Sequence, residues 1–224
     1  MFTYHPNVAG FVAGTGGEVP PAGNGLVRGY NDGPPSPYFS IHSLFEKNMK
    51  GYYKSSKQGY DPVGKIQELF TSGSRYFTIP SPERAGTGKP DLLAFTHFQV
   101  CLEPRTEPPP GSPPGSEPTG AYLALYVLDI QVDQTARGRG LGKAMLDGVE
   151  KLGSMLTAAL ANEMRLSGGE VGGDSPRCER ILLTVFKANG RAMEFYGRQG
   201  YEVDGSDPSK YGEFADYNIL SKRI

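Results

Sequence analysis

The chain has 224 residues, 38% hydrophobic and 21% charged, with 31 glycines and 19 prolines, a composition for one domain with loose appendages rather than for several. A net charge of −1 excludes a global field that would draw the protein to nucleic acid or to an acidic membrane, so a cationic substrate has to be met by a local acidic patch. No apolar run reaches transmembrane length, the N-terminus lacks a signal-peptide pattern, and Cys101 and Cys178 have neither metal spacing nor a disulfide framework, so a soluble protein of a reducing compartment is expected.

Residues 1–38 are rich in Gly, Pro and Asn and are expected to be disordered, ahead of one domain over 39–224. Ser43 to Lys57 has helical spacing, with Leu44, Phe45, Met49, Tyr52 and Tyr53 near one face. Pro62 opens a second helix through Phe70. Arg75 to Ile79 and Leu92 to Leu102 read as strands, followed by a low-complexity insert near 104–120. Ala121 to Asp133 starts as an apolar run and ends in alternation, with Ile130 and Val132 on one face and Asp129, Gln131 and Asp133 on the other. A long helix runs from Gly140 toward Glu163 on Leu141, Met145, Val149, Leu152, Met155 and Leu160. A flexible connection near 166–176 leads to the buried strand Ile181 to Phe186, a short helix from Asn189 to Gln199, and strands at Tyr201 to Val203 and Phe214 to Leu220. This order predicts an α/β (α+β) fold, a mixed central sheet flanked by helices.

The most specific local signal is Arg137-Gly138-Arg139-Gly140-Leu141-Gly142 with Lys143 behind it, set between a strand and a long helix. Helix N-termini bind phosphates through unpaired N–H groups and partial positive charge, and glycines let the backbone approach closely. Neither the Rossmann spacing nor the Gly-Lys-Ser/Thr ending of a P-loop is present. The form R-x-x-G-x-G is the acetyl-CoA signature of the GNAT superfamily of acetyltransferases. Asn189-Gly190-Arg191-Ala192-Met193-Glu194-Phe195-Tyr196 with Gly200-Tyr201 resembles the second GNAT motif.

The run Leu183-Thr184-Val185-Phe186-Lys187-Ala188-Asn189 is similar to the LTVFK-x-N run of the NatD class, which acetylates the α-amines of histone H4 and histone 2A. The segments Asn48-Met49…Tyr53…Gly59-Tyr60, Ala94-Phe95-Thr96-His97-Phe98 and Tyr217-Asn218-Ile219-Leu220-Ser221-Lys222-Arg223 resemble that family too. The resemblance implies acetyl-CoA as cosubstrate, held by Gln131, Val132, Asp133, Arg137, Gly138, Arg139, Gly140, Leu141, Gly142, Lys143 and Asn189. It implies a peptide pocket of Tyr53, Glu103, Leu128, Thr184 and Tyr217, with Asp129, Tyr196 and Tyr217 catalytic. Tyr196 falls where the family protonates the departing thiolate, and Glu103 where it reads the substrate's arginine. Leu128 stands in place of a family tyrosine, Cys101 in place of an aspartate, and Asp129 in place of a glutamate one methylene longer. A cytoplasmic and nuclear protein is implied, with histone tails as partners, no direct nucleic-acid contact, no membrane and no metal.

Read on their own, several of these residues carry a second meaning. Asn189 also fits a helix N-cap, and Tyr53, Tyr196 and Tyr217 also fit core packing. Asp129 fits either a base for the substrate amine or a counter-ion for its ammonium. The isolated His5, His42 and His97 read as structural or surface groups. Two further functions suit the same motifs: acetylation of a lysine side chain or small amine, and a catalytically inactive module that binds acetyl-CoA.

Overall fold

The computed structural model describes residues 3–5, 37–81, 92–105, 108, 111, 113–117, 120–170 and 177–224. Their elements are β1 Thr3–His5, α1 Pro37–Ser55, α2 Pro62–Leu69, β2 Arg75–Pro80, β3 Leu92–Pro104, β4 Ala121–Val132, α3 Leu141–Leu166, β5 Cys178–Phe186, α4 Gly190–Arg198, β6 Glu202–Val203 and β7 Tyr217–Arg223. The hydrogen-bonded strand order is β1-β2-β3-β4-β5-β7-β6. β4 and β5 are parallel, from Leu123 opposite Cys178 to Val127 opposite Leu183, whereas β5–β7 and β6–β7 are antiparallel. A parallel neighbour needs a crossover, and α3 supplies it. The sheet is therefore mixed and the α/β class is as expected.

The chain divides into two compact units, Met1–Phe98 with Asp129–Met145, and Gln99–Leu128 with Leu146–Ile224. In the first, α1 places Ile41, Leu44 and Phe45 at helical spacing against Leu69 of α2, Tyr76 of β2 and Phe95 of β3. Asp61 caps α2, accepting from Val63 N–H, and Pro62 occupies the first turn, where its missing N–H costs nothing. α2 then buries Lys65 and Leu69, one turn apart.

In the second unit Tyr122, Ala124 and Leu182 form a core with Cys101, Tyr126 and Ile219 against it. Arg180 pairs with Asp204 at 2.9 Å and lies over the Tyr122 ring. Arg105 grips Glu179 through two nitrogens. On α3, Leu146, Val149 and Gly153 are buried. A Cβ at Gly153 would stand 2.2 Å from Ile224 Cδ1, 3.3 Å from Cys178 Sγ and 3.4 Å from Leu125 Cδ1.

The alternation of β4 left its inward face open, and the polar face is the buried one: Asp129 and Gln131 are buried, while Ile130 and Val132 are half-buried, because side chains of the same unit bond the two polar groups. Several expected details differ. Met155 is 58% exposed, since the buried stripe of α3 runs through Leu146 and Gly153 instead. The last strand starts at Tyr217 rather than Phe214, after a 3₁₀ turn at Pro208–Tyr211. Thr3–His5, inside the stretch expected to be disordered, pairs with β2; the rest of that stretch up to residue 36 lies outside the described residues. So do residues 171–176 and parts of the 104–120 insert.

Candidate functional site

Beyond β4 the chain turns sharply. Asp133 caps the 3₁₀ turn Gln134–Ala136, its Oδ1 accepting from Thr135 N–H at 2.9 Å and from Thr135 Oγ1 at 2.7 Å. Lys47 Nζ donates to its Oδ2 at 2.6 Å, and this bond above all pushes the Asp133 carboxyl down to about 2. Gly138 and Gly140 follow at φ 76° and 78°, with nothing within 4 Å of a Cβ built on either. Glycine is thus required there by backbone conformation, and the space beside it is open. The first bond of α3 runs from Ala144 N–H to Gly140 O at 3.0 Å, so the helix starts on the loop and its first-turn amides have no helical acceptor.

The basic side chains of this loop are held by the chain. Arg137 donates through Nη2 to Asn48 Oδ1 at 3.0 Å and through Nε to Val132 O at 3.4 Å. Arg139 donates to Thr135 O at 3.1 Å, and Lys143 is exposed. Asn48 in turn donates to Gln131 Oε1 and Val132 O, each at 3.1 Å. One α1 side chain therefore joins Gln131, Val132 and Arg137. An open glycine backbone, a helix start and preset cations suit a phosphate-bearing ligand.

Asp129 sits at the centre of a buried polar cluster. Lys65 Nζ donates to its Oδ2 at 3.0 Å, with both side chains 4% exposed. Gln131 Nε2 donates to Oδ1 at 3.2 Å, and Thr96 Oγ1 donates to the Asp129 carbonyl at 2.9 Å. His97, fully buried, directs Nδ1 toward Oδ2 at 3.7 Å while Nε2 meets Ser74 Oγ at 2.9 Å. Burial alone would raise the Asp129 pKa; the Lys65 ammonium and the His97 ring outweigh it and leave the carboxyl below its usual range. Burial would likewise lower the Lys65 pKa, and Asp129, Tyr53 and Glu68 together raise it. Tyr53 is half-buried, edge-on to Phe45 and Tyr60 at 5.7 and 6.2 Å, and burial raises its phenol pKa.

In the second unit Thr184 is the one exposed residue between buried Leu183 and Val185, and its hydroxyl bonds Tyr126 Oη at 2.5 Å. Burial raises the Tyr126 pKa and its Thr184 bond lowers it, while Glu103, Tyr217 and Cys101 add smaller electrostatic effects, which puts these groups in one neighbourhood. Leu128 is half-buried at the end of this unit's part of β4. Asn189 is the α4 N-cap, its Oδ1 accepting from Ala192 N–H at 3.3 Å. Tyr196 is 8% exposed and packs on Phe195 and Tyr201. Asp207, fully buried, accepts from Ile219 N–H at 2.7 Å and Ser209 N–H at 2.9 Å. A further tie, from Lys187 N–H to Asp216 O at 2.8 Å, fixes the chain just before Tyr217.

The first unit thus brings together Asp129, Gln131, Val132, Asp133 and the Arg137–Lys143 loop, and the second Glu103, Thr184 and Tyr217. Sequence reasoning gave no site role to Lys65, Asn48 or Tyr126. Tyr126 carried a signal, a polar-tipped ring in an otherwise aliphatic run; Lys65 carried none, because one lysine in a short amphipathic helix reads as solvated.

No family profile matches the chain. Its structure is similar to that of Arabidopsis thaliana NAA60 in complex with a bisubstrate analogue, at 14% identity and TM-score 0.56, covering 100% of this chain and 99% of that one. The same protein in complex with acetyl-CoA gives TM-score 0.53 at 14% identity over the same shares. Among the described residues no helix is long and apolar enough to cross a membrane. The element order, the mixed sheet and this likeness over the whole chain lead to one conclusion: the protein has the GNAT acetyltransferase fold.

Proposed function

We propose that this protein transfers the acetyl group of acetyl-CoA to the α-amine of Ser-Gly-Arg-Gly-type N-termini, the tails of histone H4 and histone 2A, in the cytoplasm and nucleus. The observation that carries the reading is the Arg137–Lys143 loop, with two glycines at positive φ leading directly into α3. Its first-turn amides and the loop cations offset the charge of a pyrophosphate. The shared fold with a protein whose structures hold acetyl-CoA and a bisubstrate analogue supports the same class of chemistry. The LTVFK-x-N run supports the choice of an α-amine, and it carries Thr184 and Asn189.

Acetyl-CoA supplies a thioester carbonyl open to attack by a neutral amine. Gln131, Val132 and Asp133 offer backbone to the cosubstrate's arm, and Asn189 adds side-chain amide N–H donors. Tyr196 gives its phenol proton to the departing thiolate. Tyr53 and Tyr217 orient the peptide end. Asp129 acts as a fixed negative charge rather than as a proton acceptor, because Lys65 and His97 hold its pKa below the usual carboxylate range and so weaken it further as a base. The substrate amine, with a pKa of about 7.7–8.0, then loses its proton to solvent, and the rate climbs with pH up to about 8. Glu103 reads the arginine at substrate position three; a charge-assisted bond of this kind gives about 1.5–3 kcal/mol, or roughly ten- to a hundredfold in preference.

Mass spectrometry of SGRGK and SGAGK peptides, each with a free or blocked N-terminus, tests the reading. The α-amine of free SGRGK is expected to be acetylated fastest. Acetylation of lysine in the blocked peptides, with none on a free α-amine, would replace this function by lysine acetylation. Equal rates for the Arg and Ala peptides would remove Glu103 from recognition.

A further inference from the structure

We infer that Lys65 is a positioning residue for acetyl transfer: its buried ammonium, delivered by α2, orients the Asp129 carboxylate. This rests on the proposed role of Asp129 in the reaction. The ammonium touches Asp129 Oδ2 at 3.0 Å and Glu68 Oε1 at 2.5 Å, and lies over the Phe45 ring at 4.3 Å and the Tyr53 ring at 5.8 Å. Lys65 is 5% exposed, so its four-carbon stem has no freedom to swing away. The carboxylate is fixed from its other side by Gln131, and its peptide carbonyl by Thr96.

A stability role alone does not call for this pair. Two buried charges lose hydration on folding, and an apolar pair of equal volume holds a core as well or better. A fixed negative charge of defined direction is something an apolar pair cannot provide, and a reacting amine needs one. The charged and titratable groups around the pair are Glu68 of α2, Tyr53 and His42 of α1, Tyr60 beyond α1, and His97 of β3. Of these, His97 is the only other group aimed at the Asp129 carboxylate itself, and among the described residues its Nδ1 has no hydrogen-bond partner.

The test is a double-mutant cycle on the full chain with K65M, K65R, D129N and K65M/D129N, using the SGRGK peptide. It reads kcat and KM, the acetyl-CoA Kd by calorimetry, and folding by circular dichroism. K65M is expected to lower kcat about tenfold or more while leaving the acetyl-CoA Kd unchanged, and K65R to restore most of the rate. In the D129N background, K65M should cost no further rate, because Lys65 acts through the carboxylate. Folded K65M with wild-type kcat, or an equal further loss in the D129N background, would overturn the inference. Should K65M fail to fold alone, the comparison of the double variant with D129N still decides. Wild-type kcat in D129N would instead remove Asp129 from the reaction, a failure of the proposed function.

Discussion

Gly153 lies in the buried stripe of α3, and the structure bounds what alanine would do there. In an exposed helix, Gly→Ala gains about 1 kcal/mol. Here the new methyl would sit 2.2 Å from Ile224 Cδ1, and 3.3 and 3.4 Å from Cys178 Sγ and Leu125 Cδ1. Overpacking of this kind costs about 1–3 kcal/mol, so Gly153→Ala should come out between neutral and about 2 kcal/mol destabilising. Ile224 is 39% exposed, and truncating it opens the space. In an Ile224→Ala background Gly153→Ala should therefore stabilise by about 1 kcal/mol, a coupling of about 1–3 kcal/mol between the sites. Urea unfolding of the four proteins, compared at common slope, measures it. An identical effect of Gly153→Ala in both backgrounds would refute the reasoning, since the clash would then play no part.

Three other outcomes are expected. Gly140→Val should leave the protein folded but weaken acetyl-CoA binding in calorimetry by about tenfold or more, because a β-branched residue at φ 78° is strained by about 1–2 kcal/mol and its methyls fill the open cradle. Burial and, for Cys101, the neighbouring Glu103 push the thiols of Cys101 and Cys178 up to about 12 and about 11, so iodoacetamide at pH 8 should alkylate both far more slowly in the native protein than in urea. The carboxyls of Asp129 and Asp133 both lie below the ordinary 3.8, so the stability they contribute is full above that value and lost as pH falls through their folded values. Their share of the loss in melting temperature should fall between about pH 4 and 2, and Lys47→Met should flatten part of that drop.

What the sequence revealed, and what it hid, follows from the range of the interactions. The glycine loop ahead of α3 was legible because its parts are neighbours in the chain: two glycines at positive φ, two arginines and a helix start. β5 was legible because a long apolar run fits a strand buried on both faces. The inward face of β4 was not legible, because alternation gives two faces without saying which is inside. Asp129 and Gln131 are inside because Lys65, 64 residues earlier, and Asn48, 83 residues earlier, bond them there. The spacing that put Met155 on the buried face failed for the converse reason: Gly153, with no side chain of its own, marks the line of closest approach. β1 is three residues, too short for any period to declare itself.

The two ties at Asp207 and Asp216 have a consequence for how this region can diverge. One holds Ile219 to a buried carboxylate, the other holds Lys187 to the residue before Tyr217, and both lie outside the exposed stretch between them. Tyr211 and Phe214, 65% and 74% exposed, belong to that stretch. Substitutions there, or a residue gained or lost, leave the register of β7 against β5 unchanged, from Phe186 opposite Tyr217 to Arg180 opposite Arg223. The loop is thus a module that drift can reshape without retuning the strand beside it, whereas a single change at Asp207 would undo the loop's first turn at Ser209 and the tie to Ile219 together.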